Sequence, residues 1–322
     1  MNCNIYIQNI NITEISEEQL QKIYNTLNMY GVAVLEDVFT GEEVTNYFND
    51  SVKWMENINP ELAKGEKFWT EKNLPYGPRL GMYHSIVSHS PVAWTLREKL
   101  YPLFKSLWGT DDLITSLDGA TILPPNKPRH IKSVDWPHID QTSSFKNKQA
   151  IQGQVVCTTT SSTFRCTPTS NLIHEELRTK YNFLSSKTEW FKFNKEQINE
   201  LSIRFGDLWQ IPISVKAGSI ILWYSTTIHS SIDPVFGEKE WRCVYYICQR
   251  PKNHFSKRNL KTISDSALNG RTTNHWGTNM FPKYGRYDKQ NKSENVMKIL
   301  EHPEKYKPLK LTPIQLKLVG LQ

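Results

Sequence analysis

The ten residues 135-DWPHIDQTSS-144 place His138 two positions before Asp140, between a Trp-Pro and a Gln-Thr. Read as extended strand, residues i and i+2 share a face, so an imidazole nitrogen and a carboxylate oxygen stand side by side. That is half a metal site, which becomes meaningful only if strands from elsewhere fold over it. The surrounding sequence has that character. After about residue 110, short β-like runs alternate with turn residues: 113-LITSLDGATILPP-125, 152-QGQVVCTTTSS-162, 162-STFRCTP-168, 210-QIPISVKAGSIILWYSTTIHSS-231 and 241-WRCVYYICQRP-251.

A third donor is available in the fourth of these runs. On strand parity Trp223, Ser225, Thr227, His229 and Ser231 share a face, and the chain between Asp140 and His229 is long enough to cross a β-barrel and return. Two imidazoles and one carboxylate on one side of a metal, with the other positions open, form the facial triad of non-haem Fe(II) oxygenases. In the next run Arg242, Val244 and Tyr246 share a face. A buried guanidinium there suits bidentate pairing with a carboxylate, as needed to hold the far end of 2-oxoglutarate. Arg242 also has a plainer reading, a surface pair with Glu238 or Glu240.

These ordered segments resemble the phytanoyl-CoA dioxygenase family of Fe(II)/2-oxoglutarate oxygenases. The likeness rests on 136-WPHIDQ-141, 151-IQGQVV-156, 167-TPTSNLIHEEL-177, 218-GSIILWYSTTIHSS-231 and Arg242, and spans roughly residues 20 to 285. It implies that His138, Asp140 and His229 bind iron, that Arg242 and Ser231 bind 2-oxoglutarate, and that Gln152 lines the cosubstrate pocket. It also implies O2 as a reactant, ascorbate as reductant in vitro, and a double-stranded β-helix, the jelly-roll or cupin-like type of core. Hydroxylation rather than halogenation is implied by Asp140, since halogen-transferring relatives carry a small residue there. The chain departs from the family pattern at Thr169, where glycine is common, at Asn171, where histidine is common, and at Tyr224, where Asp is usual. Those positions lie outside the ligand set and bear on the substrate.

Ahead of the β-rich part the chain reads helix, strand, helix. Ser16 to Gln19 and Thr40 to Glu43 are capping boxes, opening amphipathic helices with Leu20, Ile23, Tyr24 and Leu27, then Val44, Tyr47, Phe48, Val52 and Met55. The expected organisation is a single domain over 1–322 that is mainly β with a helical layer. A mostly helical layer covers 1–110, and a jelly-roll core covers 111–287 with a helical insertion at 174–205. A tail follows at 288–322.

Composition narrows the classes. With 38% hydrophobic and 11% aromatic residues the chain can bury a real core. No apolar run is long enough to cross a bilayer and the N-terminus lacks signal-peptide character, so a soluble cytoplasmic protein without membrane partner is expected. Five cysteines with no CxxC pair read as reduced thiols. The formal charge of +7 is dispersed, which disfavours nucleic acid as partner. A small-molecule substrate is expected, with no obligate protein partner. Asp118 and Trp223 are candidates to face the substrate; Asp118 also reads as a turn residue before Gly119, and Trp223 as core. His84, His89, His130, His174 and His275 read as structural histidines. Two other readings stay open: a cupin-like hydrolase or isomerase holding zinc or manganese, and a binding module without turnover.

Overall fold

The computed structural model describes residues 4–70, 72–75, 83, 86–125, 136–143, 150–161, 164–183, 186, 188–232, 239–281 and 292–322. Cys3, His84 and His130 lie outside them, as does the start of the expected tail. Two sheets form the core. The larger contains β1 (Tyr6–Ile7), β2 (Val32–Leu35), β3 (Leu113–Thr115), β4 (Ala120–Leu123), β6 (Ile151–Val156), β10 (Ile220–Tyr224) and β12 (Arg242–Pro251). Its order is β1-β2-β10-β6-β12-β3, with β4 also on β12. The smaller contains β5 (His138–Ile139), β7 (Phe164–Cys166), β8 (Phe191–Lys192), β9 (Ile211–Pro212) and β11 (His229–Ser231), ordered β8-β5-β11-β7-β9.

Side-chain alternation explains how the sheets stack. Val32 and Val34 join Val156, Ile221, Trp223 and Val244 of the larger sheet and Phe164 and Cys166 of the smaller one in a single interior cluster. Ala33 and Leu35 point the other way, with Leu222, Tyr245 and Ile247, onto a helical layer. That layer includes α1 (Glu17–Tyr30), α2 (Gly41–Ile58), α3 (Pro91–Lys99) and α4 (Tyr101–Trp108), contributing Ile23, Leu27, Val44, Met55 and Phe104. The fold is a double-stranded β-helix with helices on the outer face of its larger sheet. All four residues of β2 are buried because both of its faces are covered.

The local signals at the N-terminus have clear structural counterparts. Both capping boxes are present, Ser16 with Gln19 and Thr40 with Glu43, each cap contributing about 1 kcal/mol. Helix α1 ends at Gly31, whose φ of 73° is left-handed and whose missing side chain leaves room for Thr227 and Asn171.

Three expectations change. Residues 210–231 are not one continuous run: β10 ends at Tyr224, a turn follows, and β11 belongs to the opposite sheet. The shared-face parity of Trp223 and His229 therefore does not follow from one strand. The segment 174–205 contains α5 (His174–Lys180) and α6 (Lys195–Phe205), but between them β8 pairs with β5, so the segment extends the smaller sheet. Beyond α7 (Lys257–Leu268), the C-terminal segment carries α8 (Glu294–Glu301) and α9 (Pro313–Leu318). Leu318 and Val319 are fully buried against the body of the protein, because exposing those side chains would forgo their apolar burial.

His89 gives this fold a pH signature. Its ring is buried, Nε2 donates to the Arg271 carbonyl at 2.8 Å, and burial, with Arg97 and Lys307 nearby, pushes its pKa down to about 3. The unfolded chain takes up a proton near pH 6.5 while the native state refuses it until about 3. Stability is therefore lost as pH falls through this window, by up to about 1.4 kcal/mol per pH unit. Urea titrations of the wild type and His89→Gln between pH 7 and 4 are expected to show a shallower decline in the variant. Parallel pH profiles would remove His89 from the acid response.

Candidate metal centre

Strands β5 and β11 are antiparallel neighbours in which His229 stands directly opposite His138. Side chains so paired are adjacent on one face, and the two ring centroids are 4.2 Å apart. The His138 Nδ1 faces the Trp136 carbonyl at 3.2 Å, and the His229 Nδ1 faces the Thr227 carbonyl at 2.9 Å. A carbonyl only accepts, so each Nδ1 carries the hydrogen and each Nε2 presents a lone pair.

Asp140 follows β5 and is fixed by its backbone. Its N–H donates to the Ser225 carbonyl at 3.0 Å, and its carbonyl accepts the Trp276 indole N–H at 2.6 Å. The carboxylate turns toward the histidines, with Oδ1 3.9 Å from His138 Nε2 and Oδ2 3.3 Å from His229 Nε2. One donor atom from each of the three buried residues lies within 4.8 Å of the other two. This is a set of two nitrogens and one oxygen of the kind that holds a divalent transition metal.

The electrostatics suit a cation. Burial, and then the neighbouring His229, push His138 down to about 3, so its imidazole is neutral and able to ligate at physiological pH. Burial alone would raise the Asp140 carboxyl, but His275, His229 and His138 together hold it well below the usual carboxylate range. Gln152, on β6, donates from Nε2 to Asp140 Oδ2 at 3.0 Å, while its Oε1 is buried with no hydrogen-bond partner among the described residues. The indole N–H of Trp223 is likewise unsatisfied, on a ring 5.5 Å from that of His229 and 4.7 Å from that of Phe164. Buried orphans of this kind beside a donor set are the groups a bound molecule or water would satisfy.

Arg242 opens β12, 4% exposed, on the same strand face as Val244, which lies in the interior cluster. Its guanidinium is 3.5 Å from the Tyr246 hydroxyl. Its burial departs from an exposed surface arginine, while Glu238, one of its two expected partners, lies outside the described residues. Ser231 shares the His229 face of β11 by alternation and is half-buried. Trp223 forms wall rather than platform, packed on Phe164 and His229.

Asp118 is buried, and its carboxylate both accepts from the Gly119 N–H at 2.7 Å and pairs with His275 Nδ1. His275 is thus a hydrogen-bonded histidine outside the donor set, and its Nε2 lies 3.8 Å from Asp140 Oδ2. Burial would lower its pKa, but Asp118 and then Asp140 raise it to about 10. The sequence signal available for it was 274-NHWG-277, a turn closed by Gly277 N–H to Asn274 carbonyl that displays a histidine beside a tryptophan. His174, by contrast, bonds the Gln141 carbonyl at 2.8 Å.

Thr169, Asn171 and Tyr224 form a cluster around the end of α1. Thr169 keeps a left-handed φ of 68°, the conformation for which glycine is the usual residue, and its N–H bonds the Tyr30 carbonyl. Asn171 Nδ2 donates to the Asn28 carbonyl at 3.0 Å, and the Tyr224 hydroxyl donates to Asn28 Oδ1 at 2.7 Å. These residues brace the helical layer against the core.

No protein-family model matches the chain. A curated relative, Ava biosynthesis cluster protein O of Aspergillus versicolor, is 26% identical over 250 residues, covering 72% of this chain and 78% of its own. Among solved structures, the hypothetical protein JW0805 of Escherichia coli at high pH superposes with a TM-score of 0.58 at 13% identity, covering 99% of this chain and 85% of its own. The putative oxidoreductase of Salmonella typhimurium LT2 gives 0.55 at 13% identity, over 92% and 86%. GlcNAc inducible gene 2 of Candida albicans gives 0.51 at 13%, over 96% and 81%. These likenesses concern the fold. No described helix is long and apolar enough to cross a membrane.

Proposed function

We propose that the protein is a non-haem Fe(II)- and 2-oxoglutarate-dependent dioxygenase that hydroxylates a small molecule. The observation that carries this reading is the convergence of His138, Asp140 and His229 inside a double-stranded β-helix, with both Nε2 atoms presented to one point. Iron bound there would supply the activation of O2. The balanced reaction converts 2-oxoglutarate, O2 and R–H into succinate, CO2 and R–OH.

The chain's part is to bind, orient and exclude water. His138, Asp140 and His229 hold the metal; Arg242 and Ser231 take the distal carboxylate of 2-oxoglutarate; Gln152 and Trp223 present their buried polar atoms to the cosubstrate pocket. A guanidinium buried between the sheets has no use in the hydrolase or isomerase alternative, which needs no cosubstrate carboxylate. The biosynthesis-cluster name of the Aspergillus relative supports a small-molecule substrate.

The test is a metabolite screen with Fe(II), ascorbate and 2-oxoglutarate, scored by succinate. Turnover is expected to yield product heavier by one oxygen, labelled from 18-O oxygen gas, even at high chloride, because a carboxylate ligand leaves no vacated position for halide. A chlorinated product would overturn hydroxylation. Product oxygen drawn entirely from water would favour the hydrolytic reading.

A further inference from the structure

Three nitrogens stand around one oxygen of the Asp140 side chain, the His229 Nε2 lying 3.3 Å from Oδ2. Gln152 Nε2 lies 3.0 Å from Oδ2, and the His275 Nε2 stands 3.8 Å from the same atom. On its other side the His275 ring is engaged through Nδ1 by Asp118, whose side chain is 1% exposed against 23% for His275 and 5% for Asp140. An imidazole anchored at Nδ1 by a carboxylate has its Nε2 direction fixed.

The structure around this pair is stiff from both ends. Arg97, itself buried on α3, donates to the carbonyls of Ser88 at 2.6 Å, Ser116 at 3.1 Å and Asp118 at 3.4 Å, clamping the link between β3 and β4. That link is stitched to the histidine's own segment: Thr273 N–H donates to the Leu117 carbonyl at 2.9 Å, and Leu117 N–H to the Thr273 hydroxyl at 3.0 Å. Next to His275, Trp276 donates to the Asp140 carbonyl, accepts from Arg250 at 3.0 Å, and stacks on that guanidinium at 4.5 Å. So the segment that carries His275 also fixes the backbone of Asp140.

We propose that Asp118 and His275 form a positioning pair which, together with Gln152, fixes the orientation of the Asp140 carboxylate toward the metal. The pair does not belong to the donor set itself, since the group whose atoms lie within 4.8 Å of one another comprises His138, Asp140 and His229. Outer groups of this kind orient a ligand and typically change metal affinity by about 10–100-fold when removed. The inference rests on the metal reading above and concerns residues that reading did not need.

The experiment is anaerobic titration of the full-length protein with Co(II) alone, followed by calorimetry and by the visible ligand-field spectrum. His275→Ala is expected to weaken Co(II) binding by about 10–100-fold and to shift the spectrum, with the metal-free protein still folded by circular dichroism though less stable, because the Asp118 carboxylate loses its partner. Asp118→Asn, which keeps an acceptor for Nδ1 but removes the charge, is expected to weaken binding less. His275→Gln, which restores an N–H donor, is expected to recover part of the loss. Should His275→Ala fold poorly, the Asp118→Asn and His275→Gln pair carries the same comparison. Unchanged affinity and spectrum in His275→Ala would overturn the positioning role while leaving the metal reading intact. Loss of one directly bound nitrogen, counted by X-ray absorption, would overturn it by making His275 a ligand. A wild type that binds no Co(II) would sink the metal reading, and this inference with it.

Discussion

His138→Ala and His229→Ala are each expected to abolish the weak visible charge-transfer band that Fe(II) and 2-oxoglutarate give together under anaerobic conditions. The wild type is expected to show that band at one equivalent of iron. The two rings are cross-strand partners with their Nδ1 hydrogens committed to carbonyls, so each offers its Nε2 as the donor that alanine removes. Losing a direct donor from a set of three is expected to exceed the roughly 10–100-fold cost of losing an outer-shell group. His89→Gln serves as control, because His89 bonds the Arg271 carbonyl and is absent from the donor set. A full-strength band in either alanine variant would strike that residue from the ligands.

Arg242→Met is expected to raise the 2-oxoglutarate requirement while leaving Fe(II) binding in place. Methionine keeps a comparable apolar stem in the interior but cannot pair with a carboxylate. Removing one partner of a buried charge-assisted pair typically costs about 2–5 kcal/mol, or roughly 30-fold to several-thousand-fold in affinity. Arg242→Lys is expected to fall between, since an ammonium does not reproduce the two-pronged geometry. Titration of 2-oxoglutarate against either variant, read by the same band, decides the point. An unchanged half-saturation would mean that another cation holds the cosubstrate and that Arg242 serves packing against Tyr246 and Val244.

What was legible in the sequence is what depends on short separations. The capping boxes at Ser16 and Thr40 involve groups three residues apart, and Gly31 marks the end of α1 because only a residue without Cβ sits easily at its φ beside Thr227. His138 and Asp140 could be paired on paper because strand period is two. His229 and Arg242 could be nominated because their chemistry and order fit the same reaction class.

Other features depended on contacts the chain makes only once folded. The break between Tyr224 and His229, which moves the second histidine to the opposite sheet, is a turn whose bonds run to distant residues: Tyr224 N–H to the Gly31 carbonyl and Ser225 N–H to the Ala150 carbonyl. Strand β8 was hidden in a polar segment because its reason to be extended is its partner β5, more than fifty residues earlier. His275 lies far downstream of both Asp118 and Asp140, and neither period nor spacing connects them. The sequence by itself therefore determined the donor types, the capped helices and the β-rich class, since these follow from propensity and local hydrogen bonding. Tertiary structure alone decided which faces close on one another, and hence that a histidine beyond β12 stands next to the Asp140 carboxylate, because burial and pairing across the barrel are set by the whole chain.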